Sequence, residues 1–435
     1  MSTQTAPEST TLRTYTRLIT SPWLLIFSLV ASVSSLILRM QEDRHLSMYH
    51  ADFQQLQVLH VFRETAFRLL DGTPLYADRV PLENGFDLAY IYPPFAALFF
   101  QPLCILSEDA TEFFFLLACT AALGWIIFLT LNRLGVPQPL HLTFALTPAF
   151  LWLDAVRMTL FYGQINLLLA ALVLTDLWCT TPKWRKWAPV GTLIGIAVSI
   201  KLTAGIFLIY FVLRKNWLTL SNTVLAAIAC NALGALLRPH ETWEYYTDHM
   251  FHINDAVNLG ESYNLSLRSV CERFLPTDSV TIIWVIAVIV TLVALTWVAR
   301  QLLRAGEDTL ALLTIAFLGL LISPISWDHH WVWMVPMIIA LFEIGYRHHD
   351  EWLTLLVLLY LSVTVFFIPH SQFKHGSLIV DREPEFRDYV QSSVVWWAIL
   401  AVAVLVWRTW VISQKTATPI TLLAVPLEGT QDSYS

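Results

Sequence analysis

Long apolar runs separated by shorter polar segments make up most of the chain. The runs cover residues 22–38, 91–106, 113–131, 140–153, 164–179, 188–200, 202–213, 217–237, 281–299, 310–322, 331–346, 352–369 and 393–411. A straight helix needs about 20 apolar residues to cross a bilayer, and several runs are shorter than that. Short or interrupted apolar helices are tolerated where the backbone faces a cavity rather than lipid. The pattern predicts an all-α, polytopic transmembrane protein with about 12 membrane segments.

One polar stretch near the start of the chain has helical periodicity. Between Phe53 and Leu70, apolar side chains alternate with Gln, Arg and Glu at the spacing of an amphipathic helix. Asp52 stands where an N-cap is expected, and Gly72 stands where such a helix would stop. This pattern predicts a helix that lies on the membrane surface.

Composition also indicates a membrane protein. Of 435 residues, 56% are hydrophobic and 14% are charged, and the mean hydropathy is +0.58. Soluble domains are about half apolar and a quarter charged. The five cysteines lie mostly in or beside apolar runs and form no spaced framework, so neither disulfides nor a cysteine zinc site is implied. We expect one membrane-embedded domain, residues 21–412, between tails at 1–20 and 413–435.

Basic residues fall into one set of loops, which predicts the orientation. These residues are Arg13 and Arg17, Lys183–Lys186, Arg214 and Lys215, Arg300 and Arg304, Arg347, and Arg408 and Lys415. By the positive-inside rule, all of these loops should be cytoplasmic. If the apolar runs cross the membrane between these cytoplasmic loops, both tails lie in the cytoplasm and the other loops lie outside. We therefore expect a multi-pass protein of the cell membrane whose functional site faces the extracytoplasmic side.

The unusual polar residues all fall on that outer side. They are His50, Asp52, His60, residues 90–94, Arg157, residues 162–166, Lys201, Asn264, Arg268 and residues 328–330. Each has a structural alternative: Tyr-Pro-Pro favours a helix start, and intramembrane amides commonly join helices. The tryptophans and histidines of residues 321–333 are also typical of an interfacial anchor. Arg268 and Arg273 are alternatively solvated loop charges, which is our expectation for Arg273.

Lys201 is harder to explain as a structural residue. It stands alone among the apolar and small residues of 195–205, with no carboxylate nearby in the sequence. An unpaired cation in such a frame costs several kcal/mol. A lipid phosphate would supply the missing anion, and lysine commonly binds phosphate as a point charge. The sequence therefore predicts a lipid-phosphate site at Lys201.

A metal site is the less favoured interpretation of Asp328, His329 and His330. Adjacent histidines on a helix point in different directions, and the chain contains no His-Glu-x-x-His pattern. We expect no metal and no other cofactor. Proton-coupled transport usually needs carboxylates inside the spans, and only Asp154 and Asp176 come close to that description. The polar residues suit transfer of a group from a lipid phosphate to a hydroxyl better.

Several motifs, in this order, resemble a known family. They are Tyr-Pro-Pro-Phe-Ala-Ala at 92–97, Tyr-Gly-Gln-Ile-Asn at 162–166, Ile-Lys-Leu-Thr at 200–203, Asn-Leu-Ser at 264–266 and Ser-Pro-Ile-Ser-Trp-Asp-His-His-Trp-Val-Trp at 323–333. Together they resemble the polyprenol-phosphate-mannose-dependent α-1,2-mannosyltransferases of mycobacteria and corynebacteria, in glycosyltransferase family 87, which have a GT-C-type fold. The resemblance covers residues 52–346, and the block at 323–330 is its most specific part.

The resemblance implies an activity and its partners. Such members transfer mannose, with inversion and without metal, from polyprenyl-phosphate mannose on the outer leaflet to a glycolipid. The acceptor would be of the phosphatidylinositol mannoside or lipomannan type; membrane lipids are further partners, and no nucleic acid is expected. Two alternatives stay open. Related members transfer arabinofuranose, and a lipid-linked sugar transporter would perform no chemistry.

The resemblance also suggests roles for particular residues. The expected catalytic residues are Asp52, His330 and His329. The expected donor-binding residues are Tyr92, Gln164, Asn166, Lys201, Asn264 and Arg268. The residues expected to bind the acceptor or orient other groups are His60, Trp327 and Asp328. Asp52 is the expected general base and Asp328 is the alternative.

Two departures from the family pattern affect these roles. In the family, the catalytic aspartate is usually the first residue of a segment like Asp-Leu-His-Val-Tyr. Residues 59–62 of this chain read Leu-His-Val-Phe, and the residue before them is Val58 instead of an aspartate. Asp52 lies further upstream, in an Asp-Phe pair that also begins this helix in other members. Ala204 stands where the family has a proline after Lys-Leu-Thr, which affects the local backbone but not Lys201.

Overall fold

A computed structural model describes residues 55–366, apart from 77, 83–84, 86, 180–182, 253–258 and 262, together with residues 386–417 and a few isolated positions between 26 and 37. Asp52 and His50, both discussed above, lie outside the described residues.

The described part of the chain is mostly helical. In chain order its α-helices are α1 (Gln57–Asp71), α2 (Pro94–Phe99), α3 (Glu108–Arg133), α4 (Pro139–Phe150), α5 (Asp154–Tyr162), α6 (Asn166–Trp178), α7 (Thr192–Ile200), α8 (Phe207–Leu213), α9 (Trp217–Leu237), α10 (Pro239–Glu244), α11 (Met250–His252), α12 (Leu267–Phe274), α13 (Thr277–Arg304), α14 (Asp308–Ile322), α15 (Met334–His348), α16 (Glu351–Phe366), α17 (Phe386–Gln391) and α18 (Ser393–Ala417). Short 3-10 helices lie at Gln101–Cys104, Lys183–Lys186, Leu202–Ile206 and Asp328–Trp333, and a π-helical turn lies at Tyr245–His249. We call Asp328–Trp333 the histidine helix.

One small hairpin departs from the all-α expectation. Strands β1 (Val80–Pro81) and β2 (Asp87–Leu88) pair antiparallel, with Val80 opposite Leu88. Arg79 donates to the side chain of Asp87 at 2.5 Å and to its carbonyl at 3.1 Å. Gly85 adopts φ +84°, a left-handed conformation that suits glycine in a tight turn. The loop after α1 therefore folds back on itself instead of running as an irregular connection.

The structure has fewer full-length spans than the sequence suggested. Among the described residues, four helices are long and apolar enough to cross a membrane: α3, α9, α13 and α18. The pair α4 and α5 would make a fifth, but it is bent by 75°. The other apolar helices, α6, α8 with the 3-10 turn before it, α14 and the first part of α16, are shorter than 18 residues. The expected count of about 12 treated every apolar run as a span, although runs this short do not reach across a bilayer alone.

The amphipathic helix α1 packs on the protein. Its apolar face includes Leu59 and Phe62, both almost fully buried, and the Phe62 ring stacks on Phe100 with centroids 4.2 Å apart. Gly72 ends the helix in a left-handed conformation, with φ +87°, as predicted. The predicted start is wrong: the helix begins at Gln57, after Leu56, so Asp52 is not its N-cap.

Two contacts fix α1 against the rest of the molecule. At its C-terminus, Arg238 of the α9–α10 junction donates to the carbonyls of Arg68 at 2.6 Å and Leu69 at 3.1 Å. At its other end, a Cβ on Gly163 would lie 2.6 Å from the Cβ of Leu59. Only glycine permits this approach, so the end of α5 rests directly on α1.

Candidate active site

The segment between α14 and the histidine helix pairs with the loop before α12 at a single antiparallel bridge, between Asn264 and Trp327. The amide of Leu265 donates to the carbonyl of Ser326 at 2.7 Å, and the amide of Asp328 donates to the carbonyl of Tyr263 at 3.0 Å. These hydrogen bonds tie the segment to the loop before α12. They bring the start of the histidine helix to a defined place in the core.

The side chain of Asn264 completes this connection. Its Oδ1 accepts from the amide of Ser326 at 2.9 Å, and its Nδ2 donates to the carbonyls of Pro324 at 3.0 Å and Leu259 at 2.9 Å. Asn264 is 1% exposed. Because both N–H groups of the amide are used by the backbone, Asn264 shapes the segment and has no N–H left for a donor sugar.

Arg273 of α12 supports the same loop from behind. Its guanidinium donates to the carbonyls of Asn264 at 2.6 Å and Glu261 at 2.7 Å, and to the hydroxyl of Ser392 at 2.8 Å. Burial lowers its pKa to about 10. The expectation of a solvated loop charge is therefore wrong. A basic residue in a loop cannot be assigned to solvent from sequence alone, because buried carbonyls are equally good partners.

The histidine helix is fixed through the backbone of its first histidine. The carbonyl of His329 accepts from Asn166 Nδ2 at 2.9 Å and from Thr159 Oγ1 at 3.1 Å. Asn166 begins α6 and Thr159 lies on α5, so two helices meet at this carbonyl. The sequence had not singled out Thr159, since a threonine on an apolar helix carries no signal of a distant partner.

Asp328 and His329 form a buried pair. Asp328 Oδ1 lies 3.1 Å from His329 Nδ1 and also accepts from the backbone amide of His329. Burial raises the pKa of Asp328 to about 7, although this amide and the nearby charge of Arg157 oppose the rise. Asp328 is therefore close to half ionised at neutral pH, which suits a group that exchanges protons.

Lys201 lies at the break between α7 and the next 3-10 helix. Its Nζ is 3.0 Å from Asn166 Oδ1 and 3.0 Å from His330 Nε2. It also lies 5.7 Å from the ring centroid of Tyr92, whose hydroxyl donates to Gln164 Oε1 at 3.2 Å. We call Lys201, Asn166, His330, Tyr92 and Gln164 the Lys201 cluster. The structure thus brings together motifs that lie far apart in the sequence.

No carboxylate contacts Lys201 among the residues that the structure describes. Lys201 and His330 both lie outside the candidate spans. Burial lowers the pKa of Lys201 to about 7. Burial and the neighbouring Lys201 charge lower the pKa of His330 well below its usual value, so His330 is neutral and accepts from the ammonium. The cluster therefore contains one cation with neutral partners.

Three of the predicted site residues lie elsewhere or make other contacts. His60 Nδ1 is 3.3 Å from a carboxylate oxygen of Glu108. Arg268 pairs with Glu272 at 2.8 Å and lies over the ring of Trp284, with 5.2 Å between its Cζ and the ring centroid. Trp327 packs its ring against both histidines, with centroids 5.5 Å from each. Only Trp327 of these three touches residues of the site, and the roles of all three stay predictions.

A cavity of about 60 Å³ begins at the Lys201 cluster. Its polar lining residues are Asn166, Thr203, Ser323, Ser326 and His330. Its remaining wall is mostly apolar and comes from α6, from residues 203–207 and from α14 with the segment that follows it. Within the described residues, no group of three His, Cys, Asp or Glu could hold a metal ion. The sequence had not anticipated the cavity, because its lining residues are ordinary members of apolar runs.

Comparison with known proteins identifies the family. The sequence profile of glycosyltransferase family 87 matches residues 90–324, which is more than half of the chain. The chain belongs to glycosyltransferase family 87. This confirms the family predicted from the motifs. The protein is therefore a membrane glycosyltransferase.

Individual family 87 relatives agree with this assignment. A Mycobacterium tuberculosis protein named polyprenol-phosphate-mannose-dependent α-(1-2)-phosphatidylinositol mannoside mannosyltransferase is 30% identical over 385 residues, covering 84% of this chain and 85% of the relative. The Mycolicibacterium smegmatis protein of the same name is 31% identical over 381 residues, covering 80% and 82%. A Corynebacterium glutamicum α-(1→3)-arabinofuranosyltransferase is 26% identical over 196 residues, covering 45% and 46%. No solved structure matches the chain.

The family 87 profile covers only part of the site described above. Tyr92, Gln164, Asn166 and Lys201 fall inside the matched residues, whereas the match ends at Pro324, before the histidine helix. The histidines are connected to the matched part by geometry instead, through the contacts of His329 and His330 with Asn166 and Lys201.

Proposed function

We propose that this family 87 glycosyltransferase transfers mannose from polyprenyl-phosphate mannose to a phosphatidylinositol mannoside or a related glycolipid. The observation that carries the proposal is Lys201, a cation held at 3.0 Å by two neutral groups and lacking a carboxylate partner in the described residues. The names of two relatives, each aligned over at least 80% of the chain, support the sugar, the donor and the acceptor class.

The geometry at Lys201 suits a phosphate. A lysine ammonium has three N–H groups, and here two are directed at Asn166 and His330. We infer that the third N–H group donates to a phosphate oxygen of the donor. Because the cluster is buried, a charge-assisted hydrogen bond formed there is strong. An anionic ligand would also raise the pKa of Lys201 again and keep it protonated.

The same contact would assist the reaction. The acceptor hydroxyl oxygen forms a bond to the anomeric carbon while the bond from that carbon to the phosphate oxygen breaks. Polyprenyl phosphate leaves with the bonding electrons, and the hydroxyl proton passes to a carboxylate base. Lys201 stabilises the negative charge that grows on the phosphate, as fixed cationic groups do in phosphoryl and glycosyl transfer. In an inverting reaction the base lies on the face of the sugar opposite to the leaving phosphate.

Asp52 is the proposed base and Asp328 is its alternative. A base must come within hydrogen-bond reach of the acceptor hydroxyl and be ionised at the working pH. Asp328 is 3% exposed, and its Oδ1 is occupied by His329. These contacts suit a group that orients His329. We therefore keep Asp52 as the base.

The orientation in the membrane is part of the same proposal. We infer that residues 1–20 and 413–435 are cytoplasmic tails, that residues 21–412 form one membrane-embedded domain, and that the Lys201 cluster faces the extracytoplasmic side. The distribution of basic residues supports this arrangement. Cysteine labelling from outside intact cells tests it: a label on Lys186→Cys without permeabilisation would contradict it.

Two other activities remain to be separated by experiment. The 26% identical arabinofuranosyltransferase favours arabinofuranose as a second candidate sugar. A transporter without chemistry is the other candidate, and membership of a glycosyltransferase family counts against it. The contacts of Asp176 with Arg185 and two backbone amides also leave this carboxylate no role in proton transport.

The test uses the purified protein in lipid nanodiscs with labelled polyprenyl-phosphate mannose, or the arabinofuranose analogue, and phosphatidylinositol mannoside. We expect mannosylated glycolipid as the product. Lys201→Met should weaken donor binding by about 10- to 100-fold, the worth of one hydrogen bond to a charged group, and leave acceptor binding unchanged. Lys186→Met, which removes an exposed lysine, is the control. Absence of product with both donors would overturn the proposal, and unchanged donor affinity in Lys201→Met would remove Lys201 from it.

A further inference from the structure

A group of aromatic side chains lies beside the Lys201 cluster. The ring of Tyr76, in the loop after α1, is stacked on the rings of Tyr90 and Tyr245, with centroids 5.7 and 6.0 Å away, and its centroid is 4.5 Å from that of His249. Such distances are typical of aromatic pairs in contact. Because Tyr245 and His249 belong to the π-helical turn, Tyr76 joins the loop after α1 to that turn.

The hydroxyl of Tyr76 holds the Tyr-Pro-Pro segment, residues 92–94. It donates to the carbonyl of Tyr92 at 2.8 Å, and the hydroxyl of Tyr90 donates to the carbonyl of Pro93 at 3.1 Å. Two successive prolines have no backbone N–H, so hydrogen bonds can fix their backbone only at carbonyl groups. Burial raises the pKa of Tyr76 above its usual value, so its hydroxyl keeps its proton and donates. The two hydroxyls therefore fix the backbone at Tyr92.

The side chain of Tyr92 extends from this fixed backbone to Lys201. The centroid of its ring lies 5.7 Å from Lys201 Nζ, and its hydroxyl donates to Gln164 Oε1 at 3.2 Å. A cation over an aromatic ring at this distance is attracted to the negative face of the ring. The ring therefore favours the protonated form of Lys201, whose two polar contacts in the described residues are neutral.

We propose that Tyr76 is a positioning residue, whose hydroxyl holds Tyr92 so that the Tyr92 ring favours the charged form of Lys201. The inference rests on the proposed function, since it takes the donor phosphate at Lys201 as its starting point. Tyr76 acts through Tyr92, because its hydroxyl is used by the Tyr92 carbonyl. The alternative is that Tyr76 only packs the loop after α1, in which case its ring matters and its hydroxyl does not.

The test removes the hydroxyl and keeps the ring. The affinity of Tyr76→Phe for polyprenyl-phosphate mannose is compared with that of the wild type in nanodiscs, without acceptor, at about pH 5.5 and about pH 8.5. The pKa of Lys201 is about 7, so at the lower pH it is protonated in both proteins and the affinities should agree. At the higher pH a displaced ring leaves fewer lysines charged, and the affinity should fall about threefold, the worth of one cation–π contact.

Other ionisable groups around Tyr76 and Lys201 do not disturb this comparison. They are the same in both proteins, so their own titrations cancel from the ratio of the two affinities at each pH. These groups are Glu244, His249, Asp328, His329 and His330.

Two further variants show whether the effect passes through Tyr92. Tyr92→Leu removes the ring and should weaken donor binding at about pH 8.5, and adding Tyr76→Phe to it should cause no further loss, because both changes remove the same contact. Tyr246→Phe is the matched control. It removes a hydroxyl from a tyrosine whose ring contacts Tyr245, but that hydroxyl donates to Asn231 of α9 at 2.7 Å, so donor affinity should equal that of the wild type at both pH values.

Three results would overturn the proposal. They are an unchanged affinity of Tyr76→Phe at both pH values, an equal loss at both, and a further loss when Tyr76→Phe is added to Tyr92→Leu. An equal loss at both pH values is the result that a purely structural role would give. The proposed function fails differently: Lys201→Met would then bind the donor as the wild type does, whatever Tyr76→Phe does.

Discussion

Two partly buried cations of this protein have opposite surroundings. Arg185 is next to a carboxylate: it bonds Asp176 Oδ1 at 2.5 Å and donates to the carbonyls of Cys179 at 2.8 Å and Thr175 at 2.9 Å. Asp176 is fully buried, and its other oxygen accepts from the amides of Gly191 and Ile194. Lys201 has only Asn166 and His330 as polar contacts in the described residues, and both are neutral.

This is the difference expected between a structural charge and one that binds a ligand. The charges of Arg185 and Asp176 compensate each other and join α6 to the start of α7. Neither charge therefore needs a ligand as its partner. A buried cation without an anion costs free energy that folding does not recover, and a ligand can supply the missing charge. The absence of an anionic partner in the described residues, rather than burial, is therefore what makes Lys201 a candidate for ligand binding.

The largest effect should come from breaking the complete pair. Arg185→Met leaves Asp176 buried and uncompensated, which should lower the free energy of unfolding by about 3–5 kcal/mol. Lys201→Met should not destabilise the ligand-free protein. The pKa of Lys201 falls on folding from the usual 10.5 to about 7, so at neutral pH the charged form opposes folding, and this opposition disappears only above the unfolded pKa. Thermal midpoints of the solubilised variants test both expectations. A Lys201→Met protein as unstable as Arg185→Met would show that Lys201 is structural as well.

Much of the site could be predicted from the sequence, because its residues stand out locally. Lys201 interrupts an apolar run, and Asn166 and His330 lie in recognisable motifs, so all three were expected on the same side of the membrane. Gly72 was expected to end α1 for a similar local reason. Such signals need only the neighbouring residues, since an unusual polar residue among apolar ones is visible without knowing the fold.

The supporting contacts could not be predicted, because they join residues that are distant in sequence. Asn264 bonds the backbone of residues 324–326, and Thr159 bonds the carbonyl of His329. Every residue has a backbone carbonyl, so the sequence does not indicate which carbonyl Asn264 or Thr159 bonds. The number of spans stays a prediction for a related reason. An apolar run of a dozen residues has the same composition whether it crosses a bilayer or packs as a short helix inside the protein.

The next largest effect distinguishes the two candidate bases. Asp52→Asn removes proton acceptance while keeping the shape of the side chain, and it should lower turnover by about 100-fold or more without weakening donor binding. Asp328→Asn should cost much less, because asparagine can still accept the hydrogen bond from His329. Single-turnover transfer with labelled donor measures both. An active Asp52→Asn protein beside an inactive Asp328→Asn protein would show that Asp328 is the base.

The smallest effect is the dependence of donor binding on pH. Polyprenyl-phosphate mannose is a phosphodiester with one negative charge that does not titrate near neutrality, so any change in affinity must come from the protein. Free Lys201 has a pKa of about 7, and the donor binds its protonated form. Above pH 7 the free Lys201 is mostly neutral, so it must take up a proton when the donor binds. The affinity for the donor should therefore fall by up to about tenfold per pH unit.

Variants of Lys201 and Asp328 show which of the two groups causes the dependence of donor affinity on pH. His329 and His330 have pKa values well below the usual histidine value and stay neutral over this range. Asp328 has a pKa of about 7 and gains its charge over the same interval, so it would also weaken anion binding as pH rises. Lys201→Arg keeps its charge at every pH, because arginine does not deprotonate in proteins, and it should bind the donor with a flatter profile. Asp328→Asn should retain most of the wild-type slope. If Lys201→Arg kept the full slope and Asp328→Asn lost it, the titrating group would be Asp328, and Lys201 would already be charged in the ligand-free protein.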